Sequence, residues 1–134
     1  MFDTENLNGI ESAVIDILGD MTLSQREVCE ELYKKYNVSI TTRDLRKVYA
    51  QIRDKFADGI IDYSICHCAY GNFITKDSQK IKKDNANSRS TAYALLRKSY
   101  ARDRRLGLID QMSLEEYSQL IIQEGEEKVK GGVE

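Results

Sequence analysis

The hydrophobic residues in the first third of the chain recur at the spacing of amphipathic helices. Those of the first predicted helix, at about residues 9–18, are Ile10, Val14, Ile17 and Leu18. A second helix begins at one of two possible capping boxes in the segment TLSQRE, which can satisfy the free amides of a helix start. Its apolar face carries Val28, Leu32 and Tyr36. Asn37 ends this helix, since Asn tolerates the left-handed conformation of a helix terminus.

The third predicted helix begins at Thr41 or Thr42 and ends at Gly59. Its apolar stripe consists of Leu45, Val48, Tyr49, Ile52 and Phe56. We expect this stripe to be buried, because its spacing keeps all five side chains on one face. The opposite face carries charged and amide side chains, among them Arg43, Arg46, Lys47, Gln51 and Arg53.

Two β features and two further helices complete the prediction. The segment VSIT at residues 38–41 alternates and predicts one short strand, and a hairpin follows with strands at about residues 61–67 and 72–75. After Thr75 no helix breaker occurs before Gly107, which predicts one long charged helix. The segment SLEEYSQLIIQ predicts a short amphipathic helix, and we expect the tail EGEEKVKGGVE to be frayed.

This order of elements predicts a mainly α fold with a small β-hairpin. Three helices followed by a two-stranded wing is the winged helix-turn-helix arrangement, which we assign to residues 1–76. The long C-terminal helix and the short terminal helix, residues 77–134, then form a region for dimerisation or partner binding.

Two segments, GNFITKDSQKIKK and SRSTAYALLRKSYARDRRLG, resemble parts of small winged helix-turn-helix proteins of bacteriophages and prophages. The matching residues at the end of the wing are Phe73, Thr75 and Asp77, and those in the long helix are Arg89, Ala92, Leu95, Leu96 and Arg97. The resemblance covers about residues 10–106 and implies binding of duplex DNA in a regulatory or replication-linked role. The chain departs from that pattern at the wing tip, HCAYGN, which has no Arg or Lys.

Charge is divided into blocks, although the whole chain has a net charge of −2. Residues 1–20 carry five acids and no base, residues 76–105 carry ten bases against three acids, and residues 106–134 carry seven acids against two bases. A basic middle block favours a polyanionic partner. The alternative is that the acidic ends fold back onto the basic block and neutralise it.

The predicted DNA contacts lie on two helices. On the third helix they are Thr41, Thr42, Arg43, Arg46, Lys47, Gln51 and Arg53. On the long helix they are Lys82, Lys83, Arg97 and Arg104. Arginine guanidinium groups and side-chain amides can form hydrogen bonds with the edges of DNA bases. Lysine and arginine side chains spread along a long helix are better suited to contact phosphates. The alternative for both helices is an ordinary solvated surface.

A sparse apolar seam predicts a homodimer in which the long helix pairs, antiparallel or crossed, with the same helix of a second subunit, which would match the symmetry of palindromic DNA sites. The predicted dimer or partner contacts on the last two helices are Ala92, Leu95, Leu96, Tyr100, Leu114, Tyr117 and Ile121. The alternative is that the long helix packs against the chain's own acidic tail.

Other classes of protein are disfavoured. The 41% hydrophobic and 31% charged composition is that of a globular protein, and no apolar run is long enough to span a membrane. The acidic start is unlike a secretory signal, so we expect a cytoplasmic protein. One histidine without an identifiable nucleophile gives no catalytic centre, so we expect neither an enzyme nor a cofactor.

Two functions therefore remain. The first is a homodimeric, sequence-specific duplex-DNA-binding protein of a phage or mobile element that regulates transcription or replication. The second is a phage-encoded interaction module that inhibits a host nucleic-acid enzyme, of the anti-defence (anti-CRISPR) type. The acidic ends and the wing tip without a base suit the second function.

The first prediction concerns the segment CHC, at residues 66–68. Alternation along a strand directs His67 away from both cysteines, and no second ligand pair completes a tetrahedral site. We therefore expect no stoichiometric zinc on the purified protein and no change of melting temperature with a chelator. Elemental analysis that found one zinc per chain would contradict this, because a structural zinc contributes folding free energy.

Overall fold

The computed structural model describes residues 2–109 and 111–133, with side chains up to residue 126. The chain divides into two compact units, Met1–Asn85 and Ala86–Glu134. The division predicted from the sequence lies after residue 76, whereas these two units meet inside a long helix. The described part of the chain is mainly helical, with one two-stranded antiparallel hairpin.

The first two helices begin and end where the sequence predicted. Helix α1 spans Gly9–Leu18 and α2 spans Gln25–Tyr36. Of the two possible capping boxes, Ser24 with Glu27 forms, because the Ser24 hydroxyl accepts the Glu27 amide and the Glu27 carboxylate accepts the Ser24 amide. Asn37 adopts the left-handed conformation after α2. Tyr36 remains partly exposed at the end of this helix, where its hydroxyl donates to Asp16.

Helix α3 spans Thr42–Ala57 and supplies much of the core. Leu45, Val48, Tyr49 and Ile52 are buried as predicted. The prediction for Phe56 was wrong, since this ring is only half-buried at the edge of the core, at the last residue but one of the helix. The core itself lies between α1, α2, α3 and the hairpin.

The hairpin consists of β1, Ser64–Cys68, and β2, Gly71–Thr75, paired antiparallel with Ile65 opposite Ile74. The first strand is shorter than the predicted 61–67 and shifted toward the turn, whereas the second begins one residue before the predicted 72–75 and ends where predicted. The predicted strand at residues 38–41 does not form. A single bridge from Leu23, between α1 and α2, takes its place beside β2. The two backbone hydrogen bonds of that bridge join Leu23 and Asn72, at 3.0 and 2.8 Å.

The bridge depends on Gly71 because the two backbones meet at that position. A Cβ at residue 71 would lie 2.4 Å from the carbonyl carbon and oxygen of Leu23 and 2.7 Å from the Ser24 nitrogen. The φ angle of Gly71, 136°, is also one that other residues rarely adopt. Only glycine therefore allows the hairpin to approach the start of α2 this closely.

On the other edge of the hairpin, side chains form hydrogen bonds with the free backbone groups of β1. The Ile65 carbonyl accepts a hydrogen bond from Arg53 Nε at 3.0 Å, and the His67 amide donates to Asp84 Oδ1 at 3.0 Å. Unpaired groups on a strand edge favour pairing with other chains, so this arrangement protects the short hairpin.

A buried ion pair joins the start of α1 to the end of α3. Glu11 is only 1% exposed. Its Oε1 accepts hydrogen bonds from the backbone N–H of Asn8 at 2.9 Å and from Lys55 Nζ at 2.5 Å. Lys55 Nζ also donates to the Asn6 carbonyl. A buried carboxylate is costly unless it is paired and hydrogen-bonded, and here it is both.

The last two helices are α4, Ser78–Arg105, and α5, Leu114–Val133. The prediction of one unbroken long helix up to Gly107 is confirmed, and no residue of α4 is buried. The terminal helix was predicted to be short with a frayed tail, which was wrong within the described residues: α5 continues to Val133. Residue 134 lies outside the described residues.

In the second unit, Tyr100 of α4 and Tyr117 of α5 form the contacts that join the two helices. The rings of Tyr100 and Tyr117 lie 5.4 Å apart, and the Tyr117 hydroxyl bonds to Ser99 and donates to Asp103 Oδ2. The Tyr100 hydroxyl donates to the Met112 carbonyl at 2.6 Å. Both residues were predicted to face a partner. For Tyr117 this is corrected, because it is 1% exposed and its contacts lie within its own chain.

None of the helices in the described part is long and apolar enough to cross a membrane.

Replacing Gly71 should test the approach between hairpin and α2. We expect Gly71→Ala to lower the free energy of unfolding by about 2–5 kcal/mol, since strain at an unfavourable φ adds to overlap with Leu23. The matched control is Gly59→Ala, where φ is also positive but nothing lies within 4 Å of an added Cβ. That variant should lose only about 1–2 kcal/mol, from the backbone conformation alone. If urea denaturation gave the same loss of unfolding free energy for both variants, an added Cβ at residue 71 would not be in steric conflict with Leu23.

Candidate nucleic-acid interface

The exposed face of α3 carries most of the predicted contacts. Its polar side chains between residues 42 and 51 all face solvent: Thr42, Arg43, Asp44, Arg46, Lys47 and Gln51. Within the described part of the chain, none of the three bases forms a salt bridge. The buried stripe on the opposite face fixes the helix, so these side chains are presented on a rigid support.

The two threonines at the start of α3 have different roles. Thr41 is the N-cap, and its hydroxyl oxygen accepts the Asp44 amide at 3.1 Å. This oxygen is therefore used by the helix itself. Thr42 is the first helical residue and is exposed. Of the pair, Thr42 retains a hydroxyl that can meet a phosphate.

Arg53 differs from the other predicted contacts. It is half-buried, and its Nε donates to the Ile65 carbonyl in β1. The guanidinium is thereby held against the hairpin, three turns from the start of α3. We assign it to positioning the hairpin, whereas the sequence pattern alone grouped it with the exposed bases.

Three elements meet around one open groove of about 450 Å³. The starts of α2 and α3 form one side and the tip of the hairpin forms the other. The lining residues are Ser24, Gln25, Arg26, Thr42, His67, Ala69, Tyr70, Gly71 and Asn72. Of these residues, only Thr42 is among the contacts predicted from the sequence. The capping box at Ser24 marked a helix start, but only the fold shows that it lies beside the hairpin tip.

The tip of the hairpin presents an aromatic side chain instead of a base. Tyr70 is 84% exposed, the most exposed of the large hydrophobic side chains described. The neighbouring Gly71 is pinned against Leu23, so Tyr70 projects from an anchored turn. An exposed aromatic ring can make apolar contacts with sugars or stack on bases.

The basic side chains of α4 that were predicted to contact DNA are divided between the two units. Lys82 and Lys83 are exposed on its first part, in the unit that contains α3. Arg97 and Arg104 are exposed in the second unit, and the Arg97 guanidinium lies 6.0 Å from the centre of the Tyr93 ring. Each of these four side chains is accessible to a polyanion.

The remaining residues of the predicted seam are only partly covered. Ala92, Leu95 and Ile121 are exposed, while Leu96 and Leu114 are half-buried. The structure therefore brings Tyr100 and Tyr117 together and leaves the rest of the seam open.

The segment CHC lies on β1 as the alternation predicted. Cys66 is buried, His67 is exposed and Cys68 is half-buried. Burial raises the pKa of the Cys66 thiol to about 11, so this group is protonated at neutral pH, whereas a metal ligand is a thiolate. Among the described residues, no three His, Cys, Asp or Glu side chains are grouped so that they could hold a metal ion.

Comparison with known proteins adds no assignment: no protein-family profile, curated protein or solved structure matches the chain significantly.

The role of Arg53 can be separated from that of the exposed bases by stability. Arg53→Met should lower the free energy of unfolding by about 1–3 kcal/mol, because the partly buried Ile65 carbonyl loses its donor. The matched control is Arg46→Met on the same helix, which should change stability by no more than about 0.5 kcal/mol because Arg46 has no such contact. Urea denaturation measures both. If Arg53→Met were as neutral as the control, Arg53 would return to the set of candidate DNA contacts.

Proposed function

We propose that the chain is a winged helix-turn-helix protein that binds duplex DNA sequence-specifically, without catalysing a reaction, and regulates transcription or replication in a phage or mobile element. The observation that carries this proposal is the convergence of two helix starts and the hairpin tip around one groove. The unpaired bases of α3 lie directly after one of those helix starts.

The order of the elements supports the winged helix-turn-helix assignment. Helices α2 and α3 pack on each other around the core, the hairpin follows α3, and Leu23 bridges to β2. This pairing holds the hairpin beside the helix pair, where a wing would lie. The exposed face of α3 is then free to act as a recognition helix in the major groove.

Phosphates would be held at the groove. Helix starts carry free amides and the positive end of the helix dipole, and two of them line the same groove. Thr42 and Arg26 also line the groove, and the Arg26 guanidinium is paired there with Glu30 at 3.4 Å. Such contacts fix the orientation of a protein on the duplex without reading its sequence.

Bases would be read by α3. Arg43 and Arg46 stand on its early turns, where the fork of an arginine can pair with the two acceptors on guanine. Gln51 can pair in the same way with adenine. Tyr70 would add apolar contacts where the hairpin tip meets the DNA backbone or the minor groove. It would take the place of the Lys or Arg side chain that the wing tip lacks.

The alternative function is an interaction module that inhibits a host nucleic-acid enzyme. The exposed apolar side chains of the second unit favour it, because such patches mark sites of protein contact. The two functions differ in their response to salt, since binding through phosphates releases counterions and weakens steeply as salt increases.

The DNA-binding proposal predicts a different response at each helix. With a duplex selected from a random pool, Arg46→Ala should lower the preference for selected over scrambled duplex by a free energy of about 1–3 kcal/mol, because it removes a base contact. Lys83→Ala should weaken binding to both duplexes alike and reduce the slope of log K against log salt by about one. Fluorescence anisotropy at several salt concentrations measures both quantities.

Lys35→Ala is the control for loss of one positive charge, since Lys35 is paired with Asp16 away from the groove. This variant should leave both the affinity and the salt slope unchanged. If the wild-type protein showed no salt-dependent retention on duplex DNA and instead copurified with a host enzyme, the alternative function would replace this one. Identical behaviour of Arg46→Ala and Lys83→Ala would exclude base reading by α3.

A further inference from the structure

The second unit exposes more apolar surface than its small core explains. Of the twelve large hydrophobic side chains described as exposed, seven lie in this unit. They are Tyr93, Leu95, Leu106, Leu108, Leu120, Ile121 and Ile122. Its buried hydrophobic residues among those described are Ile109 and Tyr117, whereas the first unit buries a cluster of fifteen. Two helices with so little buried surface would be stabilised by a partner that covers their apolar side chains.

The uncovered surface continues the contact that the two helices make with each other. Near their connection, Tyr117 of α5 is buried against Ser99, Tyr100 and Asp103 of α4. One turn further along each helix the apolar pattern continues with less covered side chains: Ile121 is 37% exposed, Leu95 is 61% exposed and Leu96 is half-buried. The two helices therefore enclose Tyr117, while apolar side chains on either side of that contact remain uncovered, among them Leu95, Leu106 and Ile121.

The charges on the two helices are of opposite sign. From residue 86 to its end, α4 carries six bases and one acid, whereas α5 carries five Glu and two Lys. Among the described side chains, no salt bridge joins the two helices. The charges of each helix are thus available to a partner, and a surface that carries both signs is complementary to itself under a two-fold rotation.

From the open seam and the opposite charges, we infer that the second unit is a homodimerisation module in which α4 of each copy pairs with α5 of the other copy. The pairing covers Leu95 and Ile121 and assembles four helices around one apolar core. Pairing α4 with α4 would instead bring two basic helices together. This inference concerns a surface other than the α3 face, and it holds whether or not DNA is the ligand.

The first test is the mass of the DNA-free protein by sedimentation equilibrium. The wild-type chain should have twice the 15.4 kDa mass of one copy at micromolar concentration. The double variant Leu95→Glu with Ile121→Glu should be monomeric, with a dissociation constant raised at least a hundredfold. The control, Tyr33→Glu, replaces an equally exposed apolar residue of the first unit and should stay dimeric. A wild-type monomer at about 100 μM, an open-ended assembly, or dissociation of the control would overturn the inference.

A second test distinguishes lost pairing from a misfolded second unit. Lys98→Glu with Arg102→Glu makes α4 acidic where it flanks Leu95, and Glu124→Lys with Glu126→Lys makes the end of α5 basic. Each double variant alone should dimerise at least tenfold more weakly than wild type, because like charges then meet across the interface. An equimolar mixture should form the heterodimer with near wild-type affinity in native mass spectrometry. If the mixture associated no better than the separate variants, pairing of α4 with α5 between copies would be excluded.

Discussion

The first unit depends on one close approach between two backbone segments. Because residue 71 has no side chain, β2 can exchange two hydrogen bonds with Leu23 directly before α2 begins. That contact fixes the hairpin tip beside the starts of α2 and α3, and it forms the groove on which the proposed function rests. A wider separation would leave Asn72 unpaired and the tip without support. The placement of Tyr70 beside the two helix starts therefore depends on a single glycine.

Local features of the sequence predicted most of the fold. Apolar spacing and caps placed α1, α2 and α3, because a helix is set by interactions within a few residues. They also identified the exposed face of α3, since a buried stripe defines its own opposite side. The contacts between distant segments could not be predicted in the same way. Leu23 has no strand-like neighbourhood, and the pattern of α3 cannot distinguish Arg46, which faces solvent, from Arg53, which is bonded to β1.

The second unit shows the complementary limit of sequence patterns. The seam on the last two helices was recognised as apolar, but its pattern does not state what covers it. Part is covered within the chain, where Tyr117 is enclosed by α4, and part is open, as at Leu95. The spacing of hydrophobic residues is the same whether a helix of the same chain or another molecule covers them, because both exclude water equally. The distinction required the positions of both helices.

The pairing of Glu11 with Lys55 constrains how this sequence can change during evolution. The carboxylate is enclosed, and it also caps α1 through the Asn8 amide, so it serves two elements at once. Loss of Lys55 alone would leave a buried negative charge without its counterion, a large penalty, whereas exchange of both residues for apolar ones of similar size can be nearly neutral. Intermediate sequences along that route are the unfavourable ones. Among relatives of this chain, positions 11 and 55 should therefore covary, and either residue should seldom occur without the other.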